Sequence, residues 1–329
     1  MRDPISILAV GVSCPGGTGP AALEADWPRR RVPQITNPDI TREVATIDLA
    51  AEPFNRWRMR PRLRRASPLS HHLIEAVAQI LESRPDINPA RVGLVGAFFI
   101  GCLVYSVRFY KGLTTDGRRF ASPILFPETV VNTPLSHVVS ELKIGGPVYS
   151  QTGDTSCWST ALRTAALWLA NGDVEHVIVV GGEEFDPVFL DVMQSARWFR
   201  SQPETAVAEG AGAILLGKKS PDALAHIHRI ADGFSFRNRT QAAVAAENLL
   251  AEFDSSLPVA DTAGNWTRSV VGKALAGRTL SNACGSSPFE AFTATCAWNT
   301  IRAARAAESR VVVPFWGLSQ QMGAVEISR

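Results

Sequence analysis

Residues 148–182 spell out a unit that few folds can hold. A short apolar run at 148–152 is followed by an alanine- and leucine-rich stretch at 156–171. An unbroken apolar run at 177–180 then ends in Gly181-Gly182. Strand, turn, buried helix and returning strand make a parallel-sheet crossover, and such a sheet has both faces covered. The rest of the chain continues the theme. Residues 5–12 are a nearly continuous apolar run closed by Cys14-Pro15-Gly16-Gly17, and 92–97 and 211–216 are similar, the last following Glu209-Gly210. Helical spacing over 73–81, 240–253 and 289–307, with further strand-like runs at 223–230, 257–260, 310–313 and 324–327, predicts an α/β fold with buried sheets. No shift in composition marks a boundary, so 1–329 reads as a single unit. Only 28–65 loses the pattern. Arginine gathers there, at 29, 30, 31, 56, 58, 60, 62, 64 and 65, and the segment reads as an irregular basic surface.

Composition removes several functional classes. The 33 basic and 31 acidic residues leave a net charge of +2, so nothing favours a protein that wraps nucleic acid. Cysteines at 14, 102, 157, 284 and 296 show no CxxC spacing and read as free thiols of a reducing compartment. The histidines at 71, 72, 226 and 228 lack acidic or cysteine partners at ligand spacing, so no metal site is expected, while His137 reads as a packed helix residue and His176 as a rim residue. No apolar run reaches the roughly eighteen residues of a membrane span, and the first residues lack a signal-peptide layout. The expectation is a cytoplasmic protein. Gly181-Gly182 fits neither GxGxxG nor phosphate-loop spacing, which argues against a nucleotide site.

The segment from Gly146-Pro147-Val148-Tyr149 through Gly181-Gly182-Glu183-Glu184 resembles the nucleophile region of the β-ketoacyl synthases, members of the thiolase-fold superfamily. Other strings agree in order. Residues 7–15 and 91–95 are similar to the family's first two strands, 126–132 to the segment before the nucleophile, and Glu209-Gly210-Ala211-Gly212 to its GEGAG turn. The resemblance implies a layered αβαβα fold of two related halves, about 1–232 and a shortened 233–329.

That family places a cysteine on a tight turn at a helix N-terminus, where dipole and amides favour thiolate and oxyanion, and adds two histidines that assist decarboxylation. Helix spacing puts the nucleophile position on Thr155. A shift of two residues would bring in Cys157, because Asp154-Thr155-Ser156-Cys157 imitates the family's own string. The first histidine position corresponds to Asp261 and the second to Ser286; no histidine follows residue 228. The C-terminal glycine-rich loop is approximated by Pro314-Phe315-Trp316-Gly317-Leu318-Ser319, with one glycine remaining.

The resemblance therefore implies a partner subunit like the chain length factors, not catalytic alone, which pair with an active ketosynthase in type II polyketide, aryl-polyene or fatty-acid-like synthesis and shape the acyl tunnel. Phe126, Val130, Val131, Thr133, Phe315 and Trp316 would line tunnel or interface. Arg60, Arg62, Arg64 and Arg65 would meet an acyl carrier protein or its phosphopantetheine phosphate, which guanidinium groups bind bidentately. No cofactor is implied beyond the acyl-phosphopantetheine carried by that partner. Two alternatives stand: a Cys157-dependent acyltransferase or hydrolase acting on carrier-bound thioesters, and a ketosynthase-like homodimer with a binding task.

Overall fold

The computed structural model describes residues 3–285, 287–306 and 310–329, and of residues 232, 265 and 266 the backbone alone. Ten strands follow one another along a continuous sheet, and their order repeats. The first half supplies β1 (Ile5–Cys14), β2 (Val92–Phe98), β3 (Val148–Thr152), β4 (His176–Glu183) and β5 (Gly210–Gly217). The second supplies β6 (Ala225–Ser235), β7 (Val259–Ala260), β8 (Leu280–Ser281), β9 (Val311–Phe315) and β10 (Gln321–Ser328). In the first half β1 lies antiparallel to β5 and β5 to β4, while β4, β2 and β3 run parallel. The second half repeats this: β6 is antiparallel to β10 and β10 to β9, while β9, β7 and β8 run parallel. An antiparallel pairing of β1 with β6, Ile5 opposite Ile227, joins the halves. The spatial order is the palindrome β3-β2-β4-β5-β1-β6-β10-β9-β7-β8.

Helices repeat in the same rhythm. α1 (Pro68–Ser83), α2 (Thr133–Leu142) and α3 (Cys157–Asn171) in the first half answer to α4 (Arg239–Ala251), α5 (Asn265–Leu275) and α6 (Thr293–Arg305) in the second. α1 packs on β1, β4 and β5, and α4 on β6 and β10. α3 touches β2 and β4 of one half and β6 and β10 of the other, and α6 touches β4, β5 and β9, so these two helices form a layer between the two parts of the sheet. The architecture is the expected αβαβα stack. The second half is thinner, since β7 and β8 are two residues long where β2 and β3 have seven and five.

Local chemistry explains the helices that matter. Ser67 caps α1 by accepting the Ser70 amide, and Pro68 stands in its first turn, where no intrahelical donor is needed. Leu69, Leu73, Ile74 and Ile80 then bury against Leu94, Ile178 and Val180. Each such side chain contributes about 1.5–3 kcal/mol of transfer free energy. α3 buries Ala161, Leu162, Ala165 and Leu169 and stops at Gly172, which takes the left-handed conformation at φ 79° and donates its N–H back to Leu169.

Two expectations are corrected. Residues 28–65 are not irregular throughout: Arg30–Pro33 and Thr41–Ala45 pair antiparallel in a small second sheet with Ala206–Ala208 and Phe289–Glu290. One side holds Val32, Val44 and Val207 with Phe185, Phe189 and Leu190, while Ala45, Ala206 and Ala208 join the central core, and the exposed Arg30 and Arg31 mask the pattern. Residues 289–307 are not one helix either. Phe289–Glu290 is a strand of that small sheet, Phe292 breaks the path, and α6 begins at Thr293. No helix of the described residues is long and apolar enough to cross a membrane.

Candidate functional site

β3 delivers the chain to residues 153–156 at the amino end of α3, and the loop joining β9 to β10 folds over that point. Asp154 fixes the arrangement. One carboxylate oxygen accepts the amides of Thr155 (2.8 Å) and Leu318 (2.8 Å). The other accepts those of Ser319 (2.9 Å), Gln320 (2.7 Å) and Gln321 (3.3 Å). Hydrogen bonds to an ionised acceptor are roughly twice as strong as neutral ones, so the loop is held by charge at the root of the helix. Gly317 makes room for this: a Cβ there would come within 1.8 Å of the Gln321 carbonyl and 2.5 Å of Asp154 Oδ2. Ser156 adds a hydroxyl bond to the Gln321 carbonyl at 2.8 Å.

Under the loop lies a pocket of about 50 Å³, walled by Thr155, Phe292, Cys296, Phe315 and Trp316 with Thr262, Thr295 and Asn299 on its polar side. That is well below the roughly 300–1,000 Å³ of a pocket that takes a drug-sized ligand, and too little for an acyl-pantetheine arm. Thr155 spends its hydroxyl on the Trp316 carbonyl at 3.3 Å, and none of the six histidines lines the space. Cys296, the thiol on its wall, donates to the Thr155 carbonyl at 3.4 Å, and burial pushes its pKa well up.

Phe292 is the plug. It occupies the N-cap of α6, the place in the second half that Ser156 holds in the first. Its backbone sits at φ 54° and ψ −110°, a conformation that costs a side-chain-bearing residue on the order of 1–3 kcal/mol and persists only when packing enforces it. The packing is aromatic: the ring meets Phe99 and Phe189 at 5.1 Å and Trp198 at 6.0 Å.

The residues singled out from the sequence divide accordingly. Thr155, Phe315 and Trp316 come together around the pocket. Asp261 does not join them; its carboxylate pairs with Arg268 at 2.5 Å, and the neighbouring Thr262 faces the pocket instead. Ser286 lies outside the described residues. Cys157 is fully buried in the central core, its sulfur 3.8 Å from the Phe98 carbonyl, and burial together with Glu183 raises its thiol far above the usual range. Sequence reasoning passed over Asp154 as a clamp, Gly317 as its spacer and Phe292 as the plug.

Three buried carboxylates brace the surrounding loops. Glu183 accepts the Phe99 and Ile100 amides and the Thr293 hydroxyl, Glu184 the Leu69 and Val104 amides, and Glu209 those of Ile47 and Phe185. Burial outweighs those donors and pushes Glu183 up to about 7 and Glu184 to about 8. His137, expected as a packed helix residue, bonds Glu128 at 2.9 Å.

A second region is open where the pocket is closed. The helix Leu103–Thr115 has no buried residue, although it carries Tyr105, Val107, Phe109 and Tyr110. Beside it, Phe126 is 57% exposed and Val130 and Val131 are 39% exposed, with Thr133 half-buried. β3 ends the sheet with Val148 and Tyr149 uncovered. Arg60, Arg62, Arg64 and Arg65 are exposed on the turns ahead of α1, and Arg60 pairs with Glu141 at 3.4 Å.

No family model and no curated protein matches this chain. Solved structures do. The ishigamide ketosynthase/chain length factor superposes with a TM-score of 0.78 at 16% identity, covering 99% of both chains. A type II PKS acyl-carrier protein in complex with its ketosynthase bound to the hexaketide gives 0.71 at 15%, covering 100% of this chain and 99% of that one. The ketosynthase in complex with its chain length factor from Xenorhabdus doucetiae gives 0.70 at 13%, covering 99% and 98%. The fold is thus the thiolase-like fold of ketosynthases and chain length factors.

Proposed function

We propose that this chain is a non-catalytic, ketosynthase-like subunit of the chain length factor type, which pairs in the cytoplasm with an active ketosynthase and shapes the tunnel that receives the growing acyl chain. The observation that carries this reading is the small pocket of about 50 Å³ at the amino end of α3, with no histidine among its lining residues. Acyl condensation needs a thiolate, donors aimed at the developing oxyanion and enolate, and room for both reactants. Here a threonine hydroxyl already bonded to a carbonyl stands at the mouth, no imidazole is near, and an aromatic ring fills the space.

The half-buried helix Leu103–Thr115, the segment 126–133 and the edge strand β3 support the partner half of the reading. Contiguous apolar surface and an unpaired strand edge are what a stable subunit contact buries. The solved relatives named for a ketosynthase with its chain length factor, and for a carrier protein with its ketosynthase, fit the same assembly. In this reading the chain uses no cofactor of its own; acyl groups arrive on the phosphopantetheine of a carrier protein, which the exposed Arg60, Arg62, Arg64 and Arg65 would meet. Systems of type II polyketide, aryl-polyene or fatty-acid-like synthesis are the setting.

Co-expression with an active ketosynthase tests the reading. A stable one-to-one complex is expected, with product length altered when Val130 or Thr133 is replaced by Trp. Covalent acyl loading of this chain alone, abolished by Cys157→Ala, would establish the acyltransferase alternative instead. Burial of the Cys157 sulfur argues against that outcome.

A further inference from the structure

The partly exposed face is rimmed mainly by positive charge. Helix Leu103–Thr115 packs against the turns Arg118–Phe120 and Phe126–Thr129, so these three elements form one surface. On it Tyr110, Phe120, Ile124 and Phe126 are exposed. Among them Lys111, Arg118 and Arg119 are also exposed and form no ion pair among the described residues, while the Arg108 guanidinium leans over the Tyr105 ring. The acids nearby are mostly committed. Glu128 is buried on His137, and Glu141 takes Arg60, which leaves Asp116 as the exposed carboxylate of these turns.

We infer that this rim decides who may sit on the face: it repels a second copy of the chain and selects a ketosynthase whose opposing surface is acidic. The inference rests on the partner-subunit reading and deepens it. A two-fold contact between identical chains sets one patch against itself. Three unpaired cations against one carboxylate on each copy would then bring a surplus of positive charge together around an apolar centre. Like charges brought together at a contact are costly, and complementary ones both speed encounter and exclude wrong partners.

Native mass spectrometry of co-expressed chains provides the test, with the triple variant Lys111→Glu, Arg118→Glu, Arg119→Glu, whose exposed positions leave the fold intact. The unmodified chain should give the one-to-one complex with the ketosynthase and no self-dimer. The triple variant should lose that complex at least tenfold, yet form a mixed dimer with the unmodified chain, because the rims are then opposite in sign. A self-dimer of the unmodified chain, or an undiminished ketosynthase complex with the variant, would overturn the inference. If the unmodified chain pairs with no ketosynthase at all, the partner-subunit reading falls with it; if it pairs regardless of rim charge, the inference alone falls.

Discussion

The amino end of α3 and the face around helix Leu103–Thr115 belong to the same half of the molecule and treat their groups in opposite ways. At the first, a carboxylate gathers five amides, an aromatic cluster closes the space, and about 50 Å³ is left. At the second, a 13-residue helix rich in aromatic and branched side chains buries none of them. In a ketosynthase-like fold, one expects reactants at the first place and only a partner at the second. In this chain the former is narrowed by packing and the latter keeps its aromatic side chains only partly covered.

The contrast breaks most sharply at Asp154. Asp154→Ala removes the shared acceptor of five amides and should cost about 3–5 kcal/mol, because one buried and four partly buried donors lose a charged partner together. Hydrogen exchange at Leu318 to Gln321 should rise with the fall in melting temperature. A loop that stays protected would show that the clamp does not hold it. On the open face the expectation reverses. Phe126→Ala should leave the isolated fold within about 0.5 kcal/mol of its stability. It should weaken ketosynthase association by about 2 kcal/mol, roughly 30-fold, if this aromatic ring is an anchor of the contact. A titration by surface plasmon resonance separates the two effects.

How much of this contrast the sequence discloses follows from its physics. The sheet strands are runs such as 5–12 and 177–180, whose apolar continuity is itself the signal, and the α/β class with buried sheets is readable from them, while the layered αβαβα arrangement is what the family resemblance implies. Thr155, Phe315 and Trp316 were readable because they sit in strings that keep their order. The clamp was not, since its partners are backbone amides that any residue supplies; only Gly317 hints at the crowding. Phe292 was hidden for a different reason. A phenylalanine at the head of a helical pattern reads as its first core residue, and nothing in its type announces a left-handed backbone. The small sheet escaped because only Val32 and Val44 mark its buried side between exposed arginines.

The buried carboxylates sharpen the comparison through pH, since they brace the closed region and its approach. Glu183 and Glu184 keep their protons to about 7 and about 8 in the fold, against an ordinary value of 4.5 once unfolded. The native state therefore holds more protons across that window, and stability falls as pH rises through it, by up to about 1.4 kcal/mol per unit for each group. His71, lowered to about 4 by burial, acts in the other direction between about 4 and 6.5, where the folded state holds fewer protons. The opposing slopes offset one another below 6.5, and the carboxylates act alone above it. Melting temperature should decline from pH 6.5 to 8, and Glu184→Gln should flatten the decline whatever its own starting stability. An unchanged slope would mean that Glu184 is ionised in the fold.

The smallest difference lies between two variants of the plug itself. Phe292→Ala opens a cavity and should cost about 3–5 kcal/mol less whatever strain it relieves. Alanine gains little of that relief, because its Cβ still resents φ 54° and ψ −110°. Glycine has no such objection. Phe292→Gly should therefore be more stable than Phe292→Ala by about 1 kcal/mol, an order that the N-cap preference for glycine over alanine reinforces. Equilibrium urea unfolding of the two variants resolves a difference of that size. If alanine proves the more stable, the backbone at Phe292 is not held where the aromatic cluster places it, and the pocket owes its closure to the Asp154 loop alone.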